Sequence, residues 1–325
     1  MSKHIYIYSP SGAVRDKAAF KRGVQRLQAL GHDVEVDEAA LASHQRFAGD
    51  DDTRLAAIAR AAASGADVAL ISRGGYGLTR ILPRINYKAV AKSVERGTQW
   101  VGMSDFTALQ LALMAKTGAQ TWAGPSLVEG FGEAIVMNER GRNTSGPDEI
   151  MEACFDDMLQ QQGEGTGWRQ DRIATLSVAS SSTRTQPKSE FHIKNATLWG
   201  GNLAVLCSLV GTPYLPEVKG GVLFLEDIAE HPYRVERMLT QLLHAGILAK
   251  QKAVVLGQFT GYQLTPHDKG FKLASVVDWL QSQIKAPVLT NLPFGHVPTK
   301  VLLPVGAKVD VVCQDRDSLI VWGHI

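Results

Sequence analysis

Nothing in this sequence approaches the run of about 18 or more apolar residues that a membrane span requires, because charged, glycine and proline residues interrupt each candidate. A membrane partner is therefore not expected. Residues 1–10 read as a short strand and a turn. They lack the continuous apolar stretch and small-residue cleavage site of a secretory signal, so the expected location is cytoplasmic. Cysteine is scarce: Cys154, Cys207 and Cys313 are far apart, odd in number and without Cys-x-x-Cys spacing, which argues against a disulfide framework or a zinc knuckle. They read as core thiols. Charge of one sign is lacking too. The 34 basic and 32 acidic side chains leave a net charge of +2, with no basic face of the kind that phosphate neutralisation demands, so nucleic acid is not an expected partner. Neither a Gly-Lys-Ser/Thr phosphate loop nor Gly-x-Gly-x-x-Gly spacing is found, and no internal repeat is evident. No metal or cofactor is expected.

What is present is length and alternation. At 325 residues, 45% of them hydrophobic, the chain is ample for two cores. Residues 4–8 read as a strand and 14–30 as a helix, with Phe20, Val24, Leu27 and Leu30 at helical spacing and Gly31 as the stop. A helix over 52–63, strands over 68–72 and 100–103, and a helix over 106–116 continue the pattern, which predicts a mostly parallel sheet flanked by helices. Between about 138 and 195 the pattern weakens into Gly-, Ser- and Thr-rich stretches, including the polar run 180–185, around one amphipathic helix at 149–159. Order returns with a helix at 203–210, a strand at 222–225, a helix at 233–243, a strand at 253–256 and a closing hairpin from 309–313 and 319–322. The expected fold is α/β: a first domain over 1–160, a connection over 161–197, and a second, strand-rich α/β domain over 198–325.

Several residues stand where chemistry is done. Gly102-Met103-Ser104-Asp105-Phe106 joins an apolar strand to a helix. A tight turn there projects the serine hydroxyl into the crevice beyond the strand ends and aims the first helical amides, Asp105 among them, at an oxyanion. The same residues also suit an ordinary helix N-cap, and Asp105-Phe106 departs from the Gly-x-Ser-x-Gly hydrolase pattern. Arg73-Gly74-Gly75-Tyr76-Gly77 follows a strand, and its glycines let backbone approach a ligand or simply turn. A serine nucleophile needs a histidine base and an orienting acid. Of nine histidines, His296 stands apart, in the constrained loop Leu292-Pro293-Phe294-Gly295-His296-Val297-Pro298. Glu226 ends the apolar strand 222–225 and needs a partner if buried; Asp227 is an alternative acid, and a salt bridge to Arg234 or Arg237 an alternative role.

With these pieces named, the chain resembles the LD-carboxypeptidases, the muramoyltetrapeptide carboxypeptidase family of serine peptidases. The carriers, in family order, are Arg73-Gly74-Gly75-Tyr76-Gly77, Gly102-Met103-Ser104-Asp105-Phe106-Thr107-Ala108, Leu198-Trp199-Gly200-Gly201-Asn202-Leu203, the stretch from Leu225-Glu226-Asp227 to Arg237, and Phe294-Gly295-His296. The resemblance implies a Ser104, Glu226, His296 triad, with the nucleophile in the first domain and the other two members in the second. It further implies an oxyanion hole from the Gly75 and Asp105 amides, a homodimer, and removal of the terminal D-alanine from a murein tetrapeptide after the L-centre of a diamino acid.

An exopeptidase must also hold the free carboxylate of its substrate, and by motif position Arg73 and Lys300 are the candidates. Trp199 and Asn202 are expected at the substrate, or else at the domain junction. Two rivals are kept. The microcin C immunity peptidases resemble the same family but cleave acyl-sulfamoyl adenylates. A non-catalytic two-lobed binding protein would leave Ser104, Glu226 and His296 unexplained as a set.

Overall fold

The computed structural model describes residues 2–137, 143–170 and 190–323. The first elements are β1 (His4–Tyr8), α1 (Lys17–Ala29), β2 (Asp33–Val36), α2 (Asp51–Ala63), β3 (Val68–Ile71), α3 (Leu78–Ile81), α4 (Tyr87–Glu95), β4 (Gln99–Gly102), α5 (Thr107–Thr117) and β5 (Thr121–Ala123). A short pair, β6 (Val136–Met137) and β7 (Asn143–Ser145), precedes α6 (Glu149–Gln160). Then come β8 (Gly165–Arg169), β9 (Phe191–Asn202), α7 (Leu203–Ser208), β10 (Val222–Ile228), α8 (Pro232–His244), β11 (Ala253–Thr260), α9 (Leu273–Gln283) and β12 (Val288–Leu289). The chain closes with β13 (Leu303–Val305), β14 (Lys308–Gln314) and β15 (Asp317–Val321).

The chain divides into two compact units. The first comprises Met1–Gly163, Gly211–Pro216 and Pro298–Gly306; the second comprises Glu164–Val210, Glu217–Val297 and Ala307–Ile325. The first is built on a six-stranded sheet in the order β13-β5-β4-β3-β1-β2. Strands β1 to β5 run parallel, and β13 alone is antiparallel, pairing Leu303 with Ala123. As befits a sheet covered on both faces, β3 reads Val-Ala-Leu-Ile and is buried throughout. Helix α1 is shorter than the periodicity over 14–30 suggests, because the Asp16 carboxylate accepts from the Ala19 amide at 2.8 Å and starts the helix at Lys17. Leu30 is left exposed beyond its end.

The second unit is a seven-stranded sheet in the order β12-β11-β10-β9-β14-β15-β8. Strand β9 serves both kinds of pairing: its first half is antiparallel to β14, and 198–202 are parallel to β10. The stretch 165–169, read from its glycines as part of the connection, is strand β8, antiparallel to β15. Thr166 and Trp168 alternate inward there, and the Trp168 indole donates to the Thr290 carbonyl at 2.9 Å. The polar run 180–185 lies outside the described residues. Cys207 and Cys313 are buried thiols, whereas Cys154 is half-buried. No described helix is long and apolar enough to cross a membrane.

Candidate active site

In the first unit, β1 lies between β2 and β3, so the strand order reverses there, and ligands in open α/β sheets favour the crevice beyond the carboxyl ends of such strands. Three connections gather at that end: the turn after β1, the glycine loop after β3 and the serine turn after β4. After Gly102 the chain passes through Met103 into a 3-10 turn, Ser104–Phe106, that leads into α5. Ser104 holds φ +62°, in the left-handed region that few non-glycine residues occupy. Such strain, costing of order 1 kcal/mol or more, persists where surrounding packing enforces it. The serine is no helix N-cap, for neither the 3-10 turn nor α5 receives a side-chain capping bond.

What presses on Ser104 is Gly74. A Cβ built on Gly74 would stand 2.6 Å from Ser104 Cβ, 2.8 Å from Oγ and 3.5 Å from the Asp105 amide nitrogen. The Gly74 carbonyl accepts from the Gly12 amide at 3.2 Å, which ties the glycine loop to the turn after β1. Gly75 follows at φ +111°. Arg73 folds over the same backbone, with Nη1 donating to the Ala13 carbonyl at 3.1 Å. The Asp105 side chain is buried and accepts from the Leu78 amide at 2.9 Å. Burial raises its pKa, while that amide and the charge of Arg54 oppose the rise.

In the second unit, Glu226 and Asn202 face each other in register at the carboxyl ends of β10 and β9. Glu226 is fully buried, and its Oε2 lies 2.8 Å from His296 Nδ1. A carboxylate in that position fixes the tautomer that carries the proton on Nδ1 and aligns the ring. His296 itself sits in the loop after β12. Gly295 precedes it at φ +141°, so close to β10 that a Cβ would meet Glu226 Cβ at 3.3 Å and the Gln258 carbonyl at 2.9 Å. Thr260 Oγ1 donates to the His296 carbonyl at 3.3 Å, and the Gln258 amide donates to that of Phe294 at 2.9 Å.

Asn202 joins the two neighbouring acids. Its Nδ2 lies 3.2 Å from Glu226 Oε1 and 2.9 Å from Asp227 Oδ1, while its Oδ1 caps α7 by accepting from the Val205 amide. Asp227 also accepts from the Ala204 and Ile228 amides at 2.9 Å. Burial pushes the Asp227 carboxyl up to about 6, the charge of Glu226 adds to the rise, and these three donors oppose it. Of the two acids after the apolar strand, Glu226 is therefore the one bonded to His296, and Asp227 braces Asn202 and α7. The alternative salt bridge is made by Glu230, which pairs with Arg234.

The residues named for substrate contact fall in different settings. Trp199 is 1% exposed and its Nε1 donates to Gln251 Oε1 at 2.9 Å, which corrects the expectation that it lines a substrate surface: it is a core residue of the second unit. Both faces of β9 are covered here, for Leu198 on the other side is buried as well. Asn202 is nearly as buried and is engaged with Glu226 and Asp227. Lys300 is buried in the first unit with Nζ donating to the Glu129 carbonyl at 3.0 Å. Sequence reasoning placed Gly74 in the glycine loop without its contact with Ser104, and passed over Asp227's bracing role and Arg54. For Arg54 a signal existed, a cation at position i of the otherwise apolar stripe formed by Ala57, Ile58 and Ala61 on α2.

Taken by itself, the first unit supplies a strained hydroxyl with backbone amides close by, and the second an imidazole held by a buried carboxylate. Among the described residues no cluster of three His, Cys, Asp or Glu side chains is placed to hold a metal ion.

Comparison with known proteins shows what the chain is similar to. Residues 5–124 match the model of an LD-carboxypeptidase N-terminal domain, and residues 195–311 match that of an LD-carboxypeptidase C-terminal domain. The crystal structure of muramoyltetrapeptide carboxypeptidase from Oxalobacter formigenes superposes with a TM-score of 0.80 at 35% identity, covering 98% of each chain. A probable murein peptide carboxypeptidase of Bacillus subtilis (strain 168) is 27% identical over 298 residues, 91% of this chain and 85% of that one. The microcin C7 self-immunity protein MccF of Escherichia coli is 25% identical over 265 residues, 76% of this chain and 71% of that one.

Proposed function

Since the chain belongs to the LD-carboxypeptidase family of peptidases, we propose that it removes the terminal D-alanine from murein tetrapeptides during cell-wall peptide recycling, with Ser104 as nucleophile. The observation that carries this reading is Ser104 itself: a non-glycine residue held at φ +62° on a strand-to-helix turn, with Gly74 against its hydroxyl. A serine that only caps a helix needs neither feature.

In the proposed reaction His296 Nε2 takes the Ser104 proton as Oγ attacks the carbonyl carbon between the L-centre of the diamino acid and D-alanine. The carbonyl π pair moves to oxygen, and the Gly75 and Asp105 amides stabilise that oxyanion. Collapse expels the D-alanine amine, which takes its proton from His296. Water then attacks the acyl-enzyme, His296 accepts its proton, and Ser104 is regenerated. Glu226 orients the imidazole and stabilises its cationic form throughout. Arg73 is the stronger candidate for the substrate carboxylate, because Lys300 is buried on the Glu129 carbonyl. A cytoplasmic homodimer is part of the same proposal.

Incubation of the protein with a murein tetrapeptide, followed by mass spectrometry, tests the reading. Loss of one alanine is expected from wild type and not from Ser104→Ala. A correctly folded Ser104→Ala variant that released D-alanine at the wild-type rate would overturn the nucleophile assignment. Because MccF is also a relative, an acyl-sulfamoyl adenylate is assayed in parallel; exclusive cleavage of that compound would overturn the substrate.

A further inference from the structure

Arg54 is an arginine with no exposed surface, carried on α2 well away in sequence from the serine turn. Burying a guanidinium is costly unless it is paired and hydrogen-bonded. Its partners are specific: Nη1 donates to the Gly77 carbonyl at 2.8 Å, Nη2 to Asp51 Oδ1 at 2.5 Å, and the guanidinium stacks 4.7 Å from the Phe47 ring centroid. Its Nε has no acceptor among the described residues. Asp105, the residue after Ser104, accepts from the Leu78 amide at 2.9 Å. The Gly77 carbonyl and the Leu78 N–H are the two polar ends of one peptide unit. Gly77 holds φ +143°, and a Cβ there would fall 2.4 Å from Arg54 Nη1, so no other residue fits the grip.

We propose that Arg54 is a positioning residue for catalysis: with Asp105 it clamps the Gly77–Leu78 peptide from both sides and thereby fixes the glycine loop against the Ser104 turn. The inference rests on the reading of Ser104 as nucleophile. It adds a cause for the geometry there, since the loop end is held by a buried cation and the serine turn by the carboxylate that grips the same peptide. Misplacing amide donors by about 1 Å costs on the order of 100-fold in rate, while binding contacts elsewhere are untouched. The loss should therefore fall on kcat.

The test uses Arg54→Lys, Arg54→Met, Asp105→Asn and the double variant Arg54→Lys/Asp105→Asn, each checked for Tm and circular dichroism. Two readouts are taken: tetrapeptide kcat and KM, and the rate at which a fluorophosphonate labels Ser104. Labelling needs the nucleophile turn but no murein substrate. The expected result is a fall of roughly 10- to 100-fold in kcat and in labelling for Arg54→Met, a smaller fall for Arg54→Lys, and KM within about threefold of wild type. Because both groups act on one peptide, the double variant should lose little beyond the worse single change. Should Arg54→Met fail to fold, Arg54→Lys, which keeps the buried charge, carries the comparison. Folded variants that label at the wild-type rate, or single losses that multiply in the double variant, overturn the clamp. Wild-type labelling without tetrapeptide cleavage, accompanied by slow labelling of the variants, overturns the substrate proposal and leaves the clamp supported. Absence of labelling in wild type overturns both.

Discussion

Gly74 and Ser104 are packed so closely that a single methyl group on Gly74 would stand 2.6 Å from Ser104 Cβ and 2.8 Å from its hydroxyl oxygen. The glycine loop and the Ser104 turn are thus one object, and the smallest possible substitution separates them. Gly74→Ala is expected to lower kcat/KM for tetrapeptide on the order of 100-fold or more, because either the loop withdraws or the serine leaves its strained conformation. Steady-state kinetics beside a thermal melt check this; near-wild-type kinetics would show that the contact is dispensable.

The His296 and Glu226 pair, joined at 2.8 Å with the carboxylate fully buried, predicts unequal losses. Removing the proposed base in His296→Ala should cost on the order of 100- to 10,000-fold in kcat, and Glu226→Gln less. Equal KM values across the three proteins would place the effect in the chemical step.

Asp227 predicts a dependence of stability on pH. Its folded pKa of about 6 against the usual 3.8 means that the folded chain holds a proton which the unfolded chain releases between those values. The contribution is fully present below about pH 4 and is lost as pH rises through about 6. Asp227→Asn removes the titration while keeping an acceptor for the Ala204 amide. Its Tm relative to wild type should therefore rise between about pH 4 and pH 7. A difference that stays constant over that range would contradict the assignment.

Trp199 separates core from substrate contact. Trp199→Phe breaks the indole bond to Gln251 and leaves part of the ring's volume empty, so a loss of about 1–3 kcal/mol in stability is expected. KM should be unchanged; a rise of tenfold at full folding would return this side chain to the substrate.

Much of the candidate site was legible because its residues sit where strands stop. Ser104 follows β4 and Glu226 stands near the end of β10, each after a continuous apolar run that marks a buried strand, and His296 lies in a loop whose glycine and prolines restrict it. What stayed hidden depends on partners distant in sequence. Arg54 breaks the apolar stripe of α2, but what it holds is not visible until Gly77 and Asp105 are brought to it. Trp199 shares a motif with Asn202, but packing within the second unit and the bond to Gln251 hold it in the core. Strand β8 is masked by two glycines, and only antiparallel pairing with β15, far along the chain, makes it a strand.

The edge strand β13 has a consequence for biosynthesis. The sheet that carries Ser104 pairs Thr121–Ala123 with Leu303–Val305, roughly 180 positions later in the chain. At ribosomal speeds of about 5–20 residues per second, β5 emerges about 10 to 40 s before its partner. During that interval the nascent first unit presents an unpaired strand edge, the kind of surface that recruits wrong partners. Nonsense or frameshift lesions that spare Ser104, Glu226 and His296 but stop translation just after His296 should therefore yield aggregates rather than a slow enzyme.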